Sequence, residues 1–356
     1  MSKRMKIRVV VLDRDIEFMN RLAKAFQNRY EDRISLSMFS DEEAMCESLN
    51  NTRVDIILTD RKIEISGMQI PRQTVIGRLC EASDVDEIDG IPAICKYQSV
   101  DNIYKSILGV YADHSENISL KRTNSDAQIL LFTSAQGGAG TSSAAAAHAV
   151  RCANDGRKVF YLNLEKFGDS DMYFTGEGTL SFSDVIYTLK SRNGNLSLRL
   201  ESVISTDSSG VDFFHSCKNA YDMFELQDSE IEKLISAISY IKKYEEIIID
   251  LSGDLTERMT KLMSNCADKI IYISDGSATG NGKFEKFCES VHVLEQRNDL
   301  NILSKIVLLY NRYSSKTGQQ LAKVAVPVLG GIHRFEGIAG KDLIQEISKV
   351  NVIGRL

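Results

Sequence analysis

Leu130-Leu131-Phe132-Thr133-Ser134-Ala135-Gln136-Gly137-Gly138-Ala139-Gly140-Thr141-Ser142-Ser143 runs from an apolar strand through a glycine-rich turn into an alanine-rich helix. Glycines let backbone N–H groups close on an anion with no side chain in the way, and the helix N-terminus adds partial positive charge. The stretch is expected to cradle phosphate, although the same glycines also suit an ordinary strand-to-helix turn. Loops of this kind carry a lysine after the last glycine, and here that position is Thr141. Binding through backbone amides survives such a loss better than catalysis does, because the lysine's charge acts on the transition state.

Ser142, with Ser143 beside it, stands where a hydroxyl holds Mg²⁺ in phosphate loops. A carboxylate at the tip of a later strand completes such a metal site, and Ile247-Ile248-Ile249-Asp250-Leu251 offers Asp250. A dinucleotide reading through Gly138-Ala139-Gly140 lacks the third glycine and the acid expected about 20 residues on. ATP with Mg²⁺ is therefore the expected ligand.

Around the loop, apolar runs at Val159–Leu164, Ile247–Asp250, Ile270–Ser274, Ile302–Tyr310 and Val326–Leu329 read as strands too uniformly apolar to have a solvent face, as in a parallel sheet covered on both sides. Helical patterns fall between them at Ser229–Lys243, opened by a Ser229/Glu232 capping box, and at Leu255–Asn265. The last pattern, Lys341–Val350, is short and mixed in charge, so a packed helix is expected rather than a membrane-surface one. Upstream, Ile7–Leu12, Ile34–Met38, Val54–Thr59, Thr74–Cys80 and Ile91–Cys95 read as five more strands. Ile16–Gln27 reads as a helix with Phe18, Leu22, Ala25 and Phe26 on one face, and Ser40 with Glu43 as the capping box of another. The fold class expected is α/β: a flavodoxin-like domain over residues 1–112, a polar linker over 113–127, and a nucleotide-binding domain over 128–356 with a mostly parallel sheet covered by helices.

A length of 356 residues suits two cores, and a net charge of -6 speaks against a strongly basic nucleic-acid surface. The seven cysteines are scattered, with no C-x-x-C pair and no histidine read at metal-ligand spacing. They imply reduced thiols and a cytoplasmic setting. The basic start, Met1 to Lys6, precedes an apolar run too short for a secretory signal, and no run approaches the ~18–20 apolar residues of a membrane span.

From Gln128 onward these motifs resemble the MinD/ParA class of P-loop ATPases. In that class a second lysine begins the loop and reaches across a dimer; here it is Gln136. The resemblance implies that the whole loop, Gln136, Gly137, Gly138, Ala139, Gly140, Thr141, Ser142 and Ser143, faces nucleotide. The class ends the strand after the loop's helix in two acids, the second orienting the attacking water. Tyr161-Leu162-Asn163-Leu164-Glu165 keeps only Glu165, which is either that catalytic acid or a solvated loop residue, with Asp169 and Asp171 just beyond. Ile306-Val307-Leu308-Leu309-Tyr310-Asn311-Arg312 resembles the strand ending in Asn-Arg, which implies Asn311 at the adenine edge and Arg312 beside it. Asparagine is also a common turn residue at a strand end.

The first domain resembles a response-regulator receiver. Asp13 matches the first metal-binding acid, Arg14 replaces the second, Asp60 falls at the phosphoacceptor position, Cys80 or Glu81 at the hydroxyl position, and Lys96 at the conserved lysine. An arginine inside such a cluster neutralises what the metal requires, and a salt bridge from Arg14 to Asp60 is expected to fix one conformation. A receiver without phosphotransfer, followed by a MinD-type domain without either lysine, resembles the TadZ/CpaE family of tight-adherence (Flp-type) pilus-assembly proteins. That resemblance implies a cytoplasmic, homodimeric ATP-binding factor with weak or absent hydrolysis. It would be recruited to the cell pole or inner-membrane face through the pilus secretion machinery. The alternatives are an active ATPase cycling between nucleotide states and a regulator driven by phosphorylation of Asp60.

Overall fold

A computed structural model describes residues 6–60, 62–63, 70–71, 73–112, 127–191, 195–241, 244–314, 318–321 and 324–356, so the expected linker, apart from residue 127, lies outside the described residues. The chain divides into two compact units, Met1–Ile118 with Arg192–Ser202, and Ser119–Ser191 with Val203–Leu356.

The first unit contains β1 (Ile7–Leu12), α1 (Ile16–Arg29), β2 (Ile34–Phe39), α2 (Glu42–Asn51), β3 (Ile56–Asp60), β4 (Val75–Cys80), β5 (Glu87–Ile88), β6 (Ile91–Cys95) and α3 (Val100–Ala112). Its sheet runs β2-β1-β3-β4-β6-β5, parallel except for the β5–β6 pair. Alternation along β1 sends Ile7, Val9 and Val11 to the core under α1 and α3, and Val10 and Leu12 to the core under α2. Between β4 and β6 the chain makes only turns and the short β5, with no helix. The Ser40/Glu43 capping box does not form: Asp41 is the N-cap and accepts from Ala44 N–H at 3.0 Å. A carboxylate one residue on is the stronger acceptor at a helix N-terminus. In Arg192–Ser202, Leu198 packs on the first core and Glu201 accepts from Tyr104 and Arg33.

The second unit contains β7 (Gln128–Thr133), α4 (Thr141–Asn154), β8 (Val159–Asn163), α5 (Phe182–Lys190), β9 (Ser205–Thr206), β10 (Asp212–Phe213), α7 (Asp222–Glu225), α8 (Asp228–Ile241), β11 (Glu246–Asp250), α9 (Glu257–Lys261), β12 (Lys269–Ser274), α10 (Ala278–Asn298), β13 (Ile306–Tyr313), β14 (Val328–His333) and α11 (Gly340–Ser348), while α6 (Leu196–Val203) belongs to the first unit except for its last residue. Its sheet order is β14-β13-β12-β7-β11-β8-β10-β9, with only β9–β10 antiparallel. β7 sits between strands that follow it on both sides, so the glycine loop leaves the sheet at a topological switch point, where open α/β sheets take ligands.

Several local expectations shift. β13 starts at Ile306 after a short turn, Leu303–Lys305, and runs to Tyr313, so Asn311 and Arg312 lie within the strand. Ser229 does not cap α8; the helix starts at Asp228 and Glu230 accepts from Gln227 N–H. The pattern at Leu255–Asn265 becomes α9 followed by a wider turn, Leu262–Cys266. α11 buries Ile344 and Ile347 in the core that holds the alanines of α4. His148 and Cys152, four apart on α4, do share one face and meet Glu246, contrary to the spacing read from the sequence. They are bonded to one another, and His148 also reaches Ile353 O, tying α4 to β11 and the chain's last turn. Burial holds His148 down at about 4 and pushes the Cys152 thiol up to about 12.

Candidate nucleotide site

The loop after β7 is held from behind. Ser134 Oγ donates to Ile273 O at 2.7 Å and accepts from Gln136 N–H at 3.0 Å, while Ala135 N–H donates to the Tyr272 hydroxyl. Gly138 and Gly140 adopt φ of 77° and 81°, which only glycine takes without strain. Ala144 N–H donates to Gly140 O at 3.0 Å and so starts the α4 ladder. The amides ahead of it, Thr141 to Ser143, have no intrahelical acceptor and are free for an anion. Gln136 turns its side chain back toward the β12–α10 turn, where Oε1 accepts from Asp275 N–H at 3.4 Å. Gly280 at the start of α10 leaves the room for it, since a Cβ there would overlap both Gln136 and Asp275.

The carboxylates gather at the tips of β8 and β11. Asp250 is 0% exposed. Its Oδ2 accepts from the Tyr161 hydroxyl at 2.8 Å, and its Oδ1 has no partner. Burial, then the nearby Glu165 charge, raise its pKa to about 7 against the hydrogen bonds from Tyr161 and Ser142. Glu165 is raised too, again by burial, and lies 3.5 Å from Ser142 Oγ. Asn163 fixes the turn between them, its Oδ1 accepting from Glu165 N–H at 2.9 Å. An orphaned buried carboxylate oxygen, a hydroxyl and a second acid within one charge cluster form an all-oxygen donor set of the kind Mg²⁺ selects. The residues therefore fit the metal: Ser142 and Asp250 would hold it.

Asp169 and Asp171 face elsewhere. Asp171 pairs with His215 Nδ1 at 2.5 Å and Asp169 accepts from Ser216 Oγ at 2.7 Å, beside a cavity of about 410 Å³ that also reaches Asn163 and Glu165. Asn311 and Arg312 approach the loop from β13. Asn311 Nδ2 donates to Ala139 O at 2.9 Å and Gly140 O at 3.3 Å, and Arg312 Nη1 to Gly138 O at 2.9 Å. Sequence reading missed Tyr161 and Tyr173, whose hydroxyls serve Asp250 and the Ser142–Ser143 pair. A tyrosine inside a buried aliphatic strand needs a partner for its hydroxyl, and that was the available signal for Tyr161; Tyr173, in the turn after Ser170–Met172, offered none.

In the first unit, Asp13, Asp60 and Lys96 meet at the C-terminal ends of β1, β3 and β6. Lys96 Nζ donates to Asp13 Oδ2 at 2.8 Å and Asp60 Oδ2 at 2.6 Å, with its side chain 4% exposed. The expected Arg14–Asp60 bridge is not made: Arg14 points outward, 81% exposed, and lies 3.8 Å from Glu42. Asp15 is occupied as the N-cap of α1, accepting from Phe18 N–H. One acid, Asp13, is thus left beside Asp60 where the receiver resemblance implies a pair, and Lys96 bonds both. Burial raises the Asp60 carboxyl, but the Lys96 and Lys62 N–H bonds outweigh it and leave the pKa below the ordinary value. This donor set does not fit a divalent metal.

Residues 5–112 match the family described as "TadZ-like, receiver domain". The chain is similar in structure to a ParA family ATPase from Chlorobium tepidum TLS, with 18% identity, TM-score 0.53, and coverage of 65% of this chain and 98% of that one. A plasmid partition protein from Borrelia burgdorferi also matches, with 18% identity, TM-score 0.48, and 64% and 97% coverage. So does the septum site-determining protein MinD, complexed with Mg-ADP, from Pyrococcus horikoshii OT3, with 20% identity, TM-score 0.47, and 62% and 86% coverage. No curated protein matches the sequence. The second unit has the fold of that ParA family ATPase, and residues 5–112 carry the TadZ-like receiver match. Together they match the TadZ/CpaE description of an atypical receiver followed by a ParA-type fold. Among the described residues no helix is long and apolar enough to cross a membrane.

Proposed function

We propose that the protein is an ATP-binding localisation and assembly factor for a tight-adherence pilus secretion system. ATP with Mg²⁺ fills the second unit and favours a homodimer whose surface recruits pilus-machinery partners, in the cytoplasm and at the pole or inner-membrane face. The observation that carries the reading is a glycine loop, left-handed at Gly138 and Gly140, that opens α4 beside the buried acid Asp250 and has Gln136 and Thr141 where the resemblance implies lysines. Loop amides and the α4 N-terminus bind phosphate without a side-chain cation, whereas hydrolysis loses the charge that stabilises its transition state. Nucleotide then acts as a conformational ligand: at ~100 times its Kd it adds roughly 2.7 kcal/mol to the bound state.

Titration calorimetry with ATP and Mg²⁺, run with light-scattering mass measurement and phosphate release, tests this. Binding with dimerisation and turnover far below that of a lysine-bearing ATPase is expected; absence of binding by well-folded protein overturns the reading. The approach of Ser142 to Glu165 favours, as the second reading, an ATPase that cycles. Robust turnover abolished by Glu165→Gln would establish it. The alternative of control by phosphorylation at Asp60 has the loss of the second metal-side acid, replaced by Arg14, against it.

A further inference from the structure

We infer that Asn311 and Arg312 are positioning residues of the phosphate loop, and that Asn311 acts on phosphate affinity through the loop backbone rather than by reading the base. The inference rests on the nucleotide-binding reading above and assigns a mechanism to the lysine-free loop.

Three consecutive loop carbonyls, those of Gly138, Ala139 and Gly140, receive side-chain donors from two adjacent residues of β13. In a trans peptide the C=O and the following N–H point in opposite directions. Drawing the Ala139 and Gly140 carbonyls toward β13 therefore turns the Gly140 and Thr141 amides the other way, into the concave side of the loop. Asn311 Nδ2 lies within hydrogen-bond distance of both carbonyls, so the amide group is directed at the loop. The fit is close, because a Cβ at Gly140 would overlap Asn311 Nδ2. Arg312 is held at φ 55°, a left-handed conformation that costs a non-glycine residue about 1 kcal/mol or more. That strain is offset by the guanidinium bond to Gly138 O, which also sets a fixed positive charge on the outer wall of a loop with no cation of its own. The pair thus replaces a lysine's two services with two residues: Asn311 shapes the backbone, and Arg312 supplies charge and a third carbonyl tether.

The test compares ATP with inorganic tripolyphosphate, both with Mg²⁺, by calorimetry on the full chain and on Asn311→Ala, Asn311→Asp, Arg312→Ala and Arg312→Lys, with a thermal melt of each ligand-free protein. Asn311→Ala should weaken both ligands by the same factor, about tenfold, the loss of two ordinary hydrogen bonds. The ratio of ATP to tripolyphosphate affinity should stay at the wild-type value. Arg312→Ala should weaken both several-fold and Arg312→Lys should restore most of the loss. An Asn311 variant that loses ATP but keeps tripolyphosphate at wild-type strength overturns the inference and assigns Asn311 to the base. If Asn311→Ala does not fold, the isosteric Asn311→Asp and Arg312→Ala carry the same comparison. Wild-type protein that binds neither ligand refutes the nucleotide reading itself, an outcome distinct from either.

Discussion

Replacing Asp250 by asparagine should make the ligand-free second unit more stable at pH 8 while removing its response to magnesium. Asp250 is fully buried, one of its oxygens lacks a partner, and its pKa is raised from 3.8 to about 7 by burial and the Glu165 charge. At about 1.4 kcal/mol per unit, that rise disfavours the ionised folded protein by roughly 4 kcal/mol. The folded state holds the proton more tightly than the unfolded state, so stability is full below about pH 4, falls as pH rises, and reaches its penalised value above about pH 7. The asparagine side chain removes the charge but buries an amide donor without an assured acceptor, which costs about 1–3 kcal/mol. The net gain at pH 8 is therefore about 1–3 kcal/mol, with no gain at pH 5. Alkylation of Cys152, which is buried in the same unit, read by mass spectrometry across a urea series with EDTA present, measures this unit alone. Mg²⁺ binding needs the ionised acid, so wild-type affinity for Mg-ATP should rise through pH 7, and the Asp250→Asn protein should lack that rise. An Asp250→Asn protein less stable than wild type at pH 8, with an unchanged pH slope, would refute the reasoning.

Acetyl phosphate with Mg²⁺ should leave Asp60 unlabelled in intact-mass measurements, since Arg14 replaces the second metal-side acid and Asp15 is taken by the α1 cap. Lys96→Met, which leaves Asp13 and Asp60 facing each other unpaired, should cost about 3–5 kcal/mol in urea unfolding of the first unit. Its wild-type counterpart should lose stability as pH falls below the ordinary carboxylate range, because the Asp60 pKa is lowered. Gly140→Ala combines a strained φ of 81° with overlap on Asn311, and should abolish ATP heat in calorimetry while costing about 1–2 kcal/mol in stability. Ile347→Ala opens a cavity between α11 and α4 and should cost about 2–4 kcal/mol, with no change in liposome flotation.

Strand cores were legible wherever β-branched runs carry their own signal: Ile7–Leu12 is reproduced residue for residue, and Ile91–Cys95 likewise. Helix starts were not, because Ser40 and Asp41 are both N-cap residue types, and the stronger carboxylate acceptor, in an extended backbone conformation, takes the cap. The glycine loop could be placed from the sequence, since φ above zero at Gly138 and Gly140 is what glycine uniquely provides. Its bracing could not, because Asn311 meets Ala139 across 172 residues and no local pattern encodes that distance. The Arg14 expectation failed for a related reason. Adjacency to Asp13 put an arginine in the cluster on paper, but the turn after β1 sends it to solvent and gives Asp15 to the helix cap, leaving the central cation to Lys96 from a different strand.

The two units balance charge in opposite ways, and that difference says which one can respond to a ligand. In the first, a buried lysine lies within 2.8 Å of both carboxylates, so one of the two negative charges is already matched and an added cation would meet Lys96 between them. In the second, two interacting acids are raised in pKa by burial, with one carboxylate oxygen unpartnered, beside a helix start whose first amides have no intrahelical acceptor. Its self-repulsion is relieved by a proton or a divalent cation, and its loop donors are satisfied by an anion. On the proposed reading magnesium triphosphate would bring both complements at once, and the free energy of closing the second site would be available for changing its surface, whereas the first site would meet a divalent cation with one acid fewer than the receiver pattern supplies.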